Sequence, residues 1–170
     1  MFIIPTRGRI SPNFGQNRGD HTHLGIDIAA NTGTPVVAAA AGRVTAANYS
    51  NTAGNLVYID HGSGALTKYF HLQRSIVPVG TQVGQGQTIG YVGSTGNSTG
   101  PHLHWELHIN GTPVDPLKAM QGGGGVPAQP SGWGDVPALP AGAFGLAPSD
   151  VPKIVIGLFA VLVVVRLVRG

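Results

Sequence analysis

The stretch "GPHLHWELHIN", residues 100–110, alternates polar side chains that could do chemistry with apolar ones. Because successive side chains of a β-strand point to opposite faces, the alternation predicts one polar face, formed by His102, His104, Glu106 and His108. The apolar side chains between them would enter a protein core from the other face. Two imidazoles only two residues apart on a polar face indicate the floor of a site.

A second candidate cluster lies upstream, in "HLGID", where His23 and Asp27 are four residues apart. Read as a strand, this spacing puts the imidazole and the carboxylate on the same face. The two groups suit zinc, which catalytic sites hold with three protein ligands and one open position. One histidine of the pair His102 and His104 would complete the set, and the spacing alone does not say which. Without that pair, a surface histidine beside a turn aspartate would be the simpler interpretation.

Zinc bound by such a set would make hydrolysis feasible at neutral pH. The ion lowers the pKa of a bound water from about 15.7 towards roughly 7, and it polarises an amide carbonyl. A neighbouring histidine, with an ordinary pKa of about 6.5, could take the proton of the water and return it to the leaving amine. His108 lies four strand residues beyond His104, roughly 13 Å away, which is too far to share the ion.

Three further polar residues have open interpretations. Glu106 is either an acceptor for the ring of a ligand histidine or a solvated position at the edge of the strand. We expect His61, in "DHGSG", at a turn where its ring bonds the backbone, and we expect His21 in an exposed loop.

The composition favours a mainly β protein of short strands and many turns. Of the 170 residues, 27 are glycine, 13 are proline and only 10% are charged. Up to residue 120 no stretch sustains the spacing of an amphipathic helix, whereas five stretches have strand character. The predicted strands are residues 36–48, 55–62, 65–72, 87–93 and 102–109. In the third of them, a regular strand would place His71 on the same face as Tyr69.

The chain divides into three predicted parts. Residues 1–120 form the β domain, and residues 121–152, with eight glycines and six prolines, form a linker. Residues 153–170 contain twelve consecutive uncharged, almost wholly apolar residues between Lys153 and Arg166. This tail predicts a C-terminal apolar helix, either packed on the domain or, as we expect, anchored in a membrane.

Charge and cysteine content exclude several classes of partner and site. The formal net charge is +3, and residues 1–120 carry seven basic against five acidic residues. Because no cluster of basic residues is interleaved with aromatic ones, we expect no nucleic-acid binding. The sequence has no cysteine, which rules out disulfides and thiolate metal sites.

Five motifs follow one another between residues 11 and 116: "HLGIDIAANTGTPVVAAAAGRV", "GNLVYIDHGSG", "TKYFHL", "VGTQVGQGQTIGYVGSTGNSTGPHLHWEL" and "GTPVDP". In these motifs and their order the chain resembles the lysostaphin-type (LytM-like) zinc metallo-endopeptidases, which cut peptide cross-links in bacterial peptidoglycan. The resemblance implies a twisted antiparallel sheet with a smaller second sheet, and an active site in a groove.

The resemblance also implies a role for each candidate residue. One zinc ion would be held by His23, Asp27 and His104, and His102 would be the general base beside it. His71, in "YFHL", would be the second catalytic histidine, which polarises the scissile carbonyl or stabilises its oxyanion. From the residues alone, His71 would rather be a hydrogen-bonded structural histidine.

We therefore expect a zinc-dependent endopeptidase that acts on peptidoglycan peptides. The alternative is a catalytically inactive peptidoglycan-binding or regulatory module, but such relatives typically lose zinc ligands and this chain keeps all five site residues. No export signal is visible in "MFIIPTRGRISPNFG". The expected location is either a tail anchor with the catalytic domain facing the cell wall, or a bacteriophage virion whose internal membrane would hold the tail.

Overall fold

The computed structural model describes residues 1–19 and 21–121, which form ten β-strands and one helix. The strands are β1 (Arg9–Ser11), β2 (Ile26–Ala29), β3 (Pro35–Val37), β4 (Gly42–Ser50), β5 (Gly54–Gly62), β6 (Ala65–Ser75), β7 (Gln82–Val83), β8 (Thr88–Val92), β9 (His102–Ile109) and β10 (Thr112–Val114). The helix, α1, covers Pro116–Gln121.

The strands form one antiparallel network in the order β1-β2-β9-β6-β5-β4-β7. Strand β10 pairs with β9, while β8 pairs with both β3 and β6 and so builds a smaller branch of the sheet. The histidine-rich strand β9 lies between β2, which contains Asp27, and β6, which contains His71. The sheet order therefore brings the two predicted clusters and the third histidine segment together.

The alternation of residues along β9 creates the two faces that the sequence predicts. Leu103, Trp105 and Leu107 are fully buried and pack in a core with residues from the other strands, among them Ile26, Ile28, Ile59, Tyr69, Leu72 and Val92. Burial of one such side chain stabilises the folded state by roughly 1.5–3 kcal/mol. The histidines and Glu106 occupy the opposite face.

A short chain of polar groups crosses the core between β5 and β6. The hydroxyl of Tyr69 accepts the backbone N–H of Ala39 at 2.9 Å and lies 3.0 Å from Oγ1 of Thr67. Thr67 Oγ1 is 2.7 Å from Nε2 of His61, whose Nδ1 donates to the carbonyl oxygen of Ala41 at 2.8 Å. The ring of His61 bonds the backbone as expected, but it lies within the core, where only 5% of the residue is exposed.

The predicted mainly β class and antiparallel sheet are confirmed, but the bounds of the first predicted strand are wrong. The strand predicted over residues 36–48 is two strands, because β3 ends at Val37 and β4 begins only at Gly42. Between them the chain turns across the core, where the N–H of Ala38 donates to the carbonyl of Gln87 at 2.9 Å. A run of small apolar residues does not indicate by itself where a strand ends.

The prediction of a membrane location is corrected by the structure. Within residues 1–19 and 21–121 no helix is long and apolar enough to cross a membrane. Helix α1 has six residues and spans about 9 Å, against about 30 Å for the hydrocarbon core of a bilayer. Residues 122–152 of the predicted linker and the predicted tail helix, residues 153–170, lie outside the described residues.

Candidate metal centre

Three side chains converge on one point at the junction of β2 and β9. Asp27 on β2 is paired directly with His104 on β9, and its Oδ1 lies 3.0 Å from Nδ1 of His104. Nε2 of His23 is 3.1 Å from the same oxygen and 2.9 Å from the same nitrogen. These three atoms form a nearly equilateral triangle, which we call the ligand triangle.

His23 reaches the ligand triangle from a loop, contrary to its interpretation as a strand residue. Strand β2 begins only at Ile26, and His23 is held by backbone bonds to the preceding segment. Its N–H donates to the carbonyl of Gln16 at 2.9 Å, and its own carbonyl accepts the N–H of Gly15 at 2.8 Å. Because this loop folds back on itself, His23 and Asp27 still face the same point.

The outer ring nitrogens of the two imidazoles each lie beside an acceptor. Nδ1 of His23 is 3.0 Å from the backbone carbonyl of Asn13, and Nε2 of His104 is 3.1 Å from Oε1 of Glu106. Carbonyl and carboxylate oxygens only accept, so each outer nitrogen can keep its proton when the inner nitrogen binds a cation. Without a cation, a protonated inner nitrogen can instead donate to Oδ1 of Asp27.

A single zinc ion fits this arrangement of atoms. Ligand atoms about 2.0–2.1 Å from a tetrahedral ion lie about 3.3 Å from one another, close to the separations within the ligand triangle. Two imidazoles and one carboxylate are also a ligand set that catalytic zinc accepts. With their outer nitrogens protonated, both imidazoles would present their inner lone pairs to such an ion.

Charges around the ligand triangle favour a cation as well. Burial alone would lower the pKa of His104, but Asp27 and Glu106, on either side of the ring, outweigh burial and raise that pKa. Burial also opposes ionisation of Asp27, but contacts with the two histidines and Arg18 hold its pKa below the usual range. Arg18 binds the outer oxygen, with Nη2 2.6 Å from Oδ2 of Asp27.

Glu106 is a buried partner of His104, which decides between its two interpretations. Only 5% of Glu106 is exposed. Its second oxygen, Oε2, lies 2.6 Å from Nε2 of His108 and 3.2 Å from Nζ of Lys68. Burial raises the pKa of this carboxyl group, but the bonds from the histidines and the charge of Lys68 outweigh it and lower the pKa to about 2. Glu106 therefore stays ionised at neutral pH and keeps the ring of His104 oriented.

His102 lies beside the ligand triangle and outside it. On β9 it is opposite Ala29, two pairs further along than the pair of Asp27 and His104. Its Nδ1 donates to the carbonyl of Gly100 at 2.8 Å, and its Nε2 is 3.8 Å from Oδ1 of Asp27. In the neutral ring Nε2 holds the lone pair, so His102 offers a proton acceptor next to the candidate ion.

The ring of His71 joins the site because β6 is irregular at that point. The pairing of β6 with β5 shifts in register next to His71, and His71 itself has a φ of 60°. Its ring lies 4.8 Å from that of His102, centroid to centroid. Tyr69 instead points into the core, so the predicted shared face of Tyr69 and His71 is wrong.

One aromatic residue of the site was missed by the sequence interpretation. The ring of Phe70 stacks on that of His104, with 5.3 Å between centroids and 6° between planes. The contact fixes the plane of the ligand imidazole. Its position in "YFHL", directly before His71, is the signal that could have pointed to it.

The sequence matches Peptidase family M23 over residues 21–116. A curated relative is the peptidoglycan DD-endopeptidase ShyC of Vibrio cholerae, 47% identical over 108 residues, which are 64% of this chain and 24% of ShyC. The chain spans about a quarter of the length of the first curated relatives it matches.

Two solved structures have a similar fold. The catalytic domain of the antimicrobial peptidase lysostaphin from Staphylococcus simulans is 34% identical with a TM-score of 0.62, over 67% of this chain and 92% of that domain. A zinc-containing peptidase from Vibrio cholerae is 35% identical with a TM-score of 0.56, over 66% of this chain and 35% of that protein.

Proposed function

Because the chain belongs to peptidase family M23, we propose that it is a zinc-dependent endopeptidase that hydrolyses peptide cross-links of bacterial peptidoglycan. The observation that carries the proposal is the ligand triangle of His23, Asp27 and His104, with two further histidine rings beside it. The names of the curated relative ShyC and of the zinc-containing peptidase support the substrate and the metal.

In this proposal, the side chains of His23, Asp27 and His104 would hold one zinc ion. The ion would supply Lewis acidity for the scissile carbonyl and lower the pKa of water. Glu106 and Asn13 keep the two imidazoles oriented through their outer nitrogens, and Arg18 keeps the carboxylate of Asp27 in place. Such outer contacts typically change metal affinity or activity about 10- to 100-fold when they are removed.

His102 is the general base of the proposed reaction. Its Nε2 takes a proton from the attacking water, and the resulting imidazolium returns that proton to the leaving amine. Donation from Nδ1 to Gly100 keeps the lone pair of Nε2 on the side of Asp27. The nitrogen of the broken amide thus leaves as a neutral amine, and the ring of His102 is restored.

His71 is the second catalytic histidine of the proposal and acts on the scissile carbonyl. Its Nδ1 donates to the carbonyl of Thr95 at 2.9 Å, so its Nε2 is the nitrogen that remains for the groove. Burial is the main reason why the pKa of His71 lies below its ordinary value. With Nδ1–H held by Thr95, the ring donates to the oxyanion from Nε2 as the imidazolium, whose second proton comes from solvent.

Digestion of purified peptidoglycan by the full chain, with mass analysis of the new termini, tests the activity. Release of peptides with new amino and carboxyl ends would support it, and the identity of those ends gives the cross-link that is cut. A chain that binds peptidoglycan but releases no termini would instead be the inactive binding or regulatory module. Carriage by a bacteriophage particle stays a prediction from the sequence.

Two sets of variants separate metal binding from proton transfer. Alanine at His23, Asp27 or His104 should remove zinc and activity together. Alanine at His102 or His71 should leave most of the zinc while turnover falls roughly 10²- to 10⁴-fold. Metal analysis beside kinetics gives the answer: a zinc-free His102→Ala protein, or an active Asp27→Ala protein with its zinc, would overturn the assignment.

A further inference from the structure

His71 has a backbone conformation that the chain must hold in place. A φ of 60° is unfavourable for a residue with a side chain, and such strain persists only where the surrounding structure enforces it. Two contacts do so here. The backbone N–H of His71 donates to the carbonyl of Ala53 at 2.8 Å, and its ring Nδ1 donates to the carbonyl of Thr95 at 2.9 Å.

Thr95 is itself tied to both strands that flank the irregular point. Its Oγ1 donates to the carbonyl of Leu72 on β6 at 2.7 Å and accepts the N–H of Asn55 on β5 at 3.0 Å. Leu72 directly follows His71 in the chain. Thr95, whose carbonyl accepts the hydrogen bond from the ring of His71, is thus also hydrogen-bonded to the backbone next to His71.

Two glycines make this close approach of Thr95 possible. A Cβ atom built on Gly54 would overlap the carbonyl group and Oγ1 of Thr95, and one on Gly96 would overlap the backbone of Gly54. Both glycines also have positive φ, 66° and 72°. The turn at the start of β5 and the loop before β9 therefore pack closely together next to His71.

We propose that Thr95 is a positioning residue for His71: its backbone carbonyl holds the ring in the Nδ1–H tautomer and presents Nε2 to the groove. This proposal rests on the proposed function, which gives Nε2 of His71 its role at the scissile carbonyl. Substrate does not have to touch Thr95. Gly54 and Gly96 act only through the space that they leave for Thr95.

The chemical consequence is a choice between two tautomers. A neutral imidazole whose Nδ1 proton has lost its acceptor can turn over or carry its proton on Nε2 instead. Turning over moves Nε2 away from the scissile carbonyl, and the Nε2–H tautomer leaves Nδ1 without the bond to Thr95 that fixes the ring. A misplacement of about 1 Å can cost roughly 10²-fold in rate, so loosening Thr95 should lower kcat about 10- to 100-fold with little change in KM.

The main test reads the tautomer of His71 directly by ¹⁵N NMR of the zinc-incubated full chain labelled at histidine. The signal of His71 is assigned by its loss in His71→Gln. We expect the Nδ1–H tautomer in the unsubstituted chain and a shift to the Nε2–H tautomer in Gly54→Ala. Gly86→Ala is the matched control, because Gly86 also has a positive φ, 80°, but has nothing near an added Cβ. It should leave the signal unchanged.

A second pair of variants tests the role of Thr95 if Gly54→Ala does not fold. Thr95→Val removes the hydroxyl that anchors the loop, and Thr95→Ser keeps it. We expect Thr95→Val to lose kcat and the Nδ1–H tautomer together, and Thr95→Ser to restore both. A folded Gly54→Ala or Thr95→Val protein with unchanged tautomer and kcat would overturn the role of Thr95.

The same measurements keep this proposal apart from the proposed function. If the full chain cuts no peptidoglycan, the endopeptidase proposal fails, while the NMR signal still reports whether Thr95 holds the ring. If the chain is active but His71 carries its proton on Nε2, the role of Thr95 fails and the endopeptidase proposal stands.

Discussion

Replacement of Glu106 by leucine should weaken zinc binding without touching a ligand. Glu106 Oε1 accepts the outer proton of His104, and no other acceptor is recorded for that nitrogen among the described residues. Leucine has a similar size but accepts nothing. The free-energy cost of losing this acceptor should be largest in the zinc-bound form. There the ion fixes Nδ1 of His104 inward and leaves Nε2–H facing the apolar side chain.

The magnitude follows from the burial of the contact. With Glu106 only 5% exposed, water does not readily replace the lost acceptor, and an unpaired buried donor costs about 1–3 kcal/mol. In the metal-free chain the ring can turn or change tautomer and escape part of this cost. If the whole cost falls on the zinc-bound form, the Kd for zinc should rise roughly 5- to 150-fold.

A competition titration against a zinc chelator measures this Kd on folded protein, with circular dichroism to confirm folding. Glu106→Gln is the first control: its amide oxygen still accepts from His104, so we expect a smaller rise in Kd. Lys68→Met is the second, because it removes the partly exposed ion pair with Glu106 and a cation–π contact with Tyr58 but no contact with a ligand residue; it should change the Kd less than about fivefold. A folded Glu106→Leu protein with the original Kd would refute the reasoning.

Three further predictions concern stability. Tyr69→Phe leaves the buried N–H of Ala39 without its acceptor, so urea unfolding should show a loss of about 1–3 kcal/mol. Burial lowers the pKa of His61 in the folded chain despite the opposing bond to its ring; the unfolded chain then takes up the proton first as pH falls below the ordinary value of 6.5. The stability advantage of the chain over His61→Gln should therefore shrink from pH 7.5 to roughly 5.5, and an advantage that grows on acidification would contradict this. Asp115→Ala removes the oxygen that accepts the N–H of Leu117 at the start of α1 and should cost roughly 0.5–2 kcal/mol by the same urea assay.

The sequence by itself determined the faces of β9 and the chemistry of the site. An alternation of polar and apolar residues predicts the two faces of a strand without knowledge of its neighbours, because strand geometry places successive side chains on opposite faces. The same holds for the mainly β class, which follows from many turn residues and short apolar runs. The types of the candidate ligands, imidazole and carboxylate, likewise indicated zinc before any contact was known.

Only the tertiary structure decided which atoms meet. His104 and not His102 enters the ligand triangle because β2 pairs with β9 in a register that sets Asp27 opposite His104. That register depends on contacts between residues that are 77 positions apart in the chain. The spacing of residues within one strand gives no information about such contacts. His23 reaches the same point from a loop whose closure is equally non-local.

The conformation of His71 shows most clearly why the sequence alone does not determine the site. A regular strand would turn its ring towards the side occupied by Tyr69, but the shift in pairing between β5 and β6 and the positive φ bring it to His102. This strain is held by Ala53 and Thr95, which approach from two separate loops. Local preference opposes the conformation, so it arises only where the folded chain supplies the contacts that compensate for it.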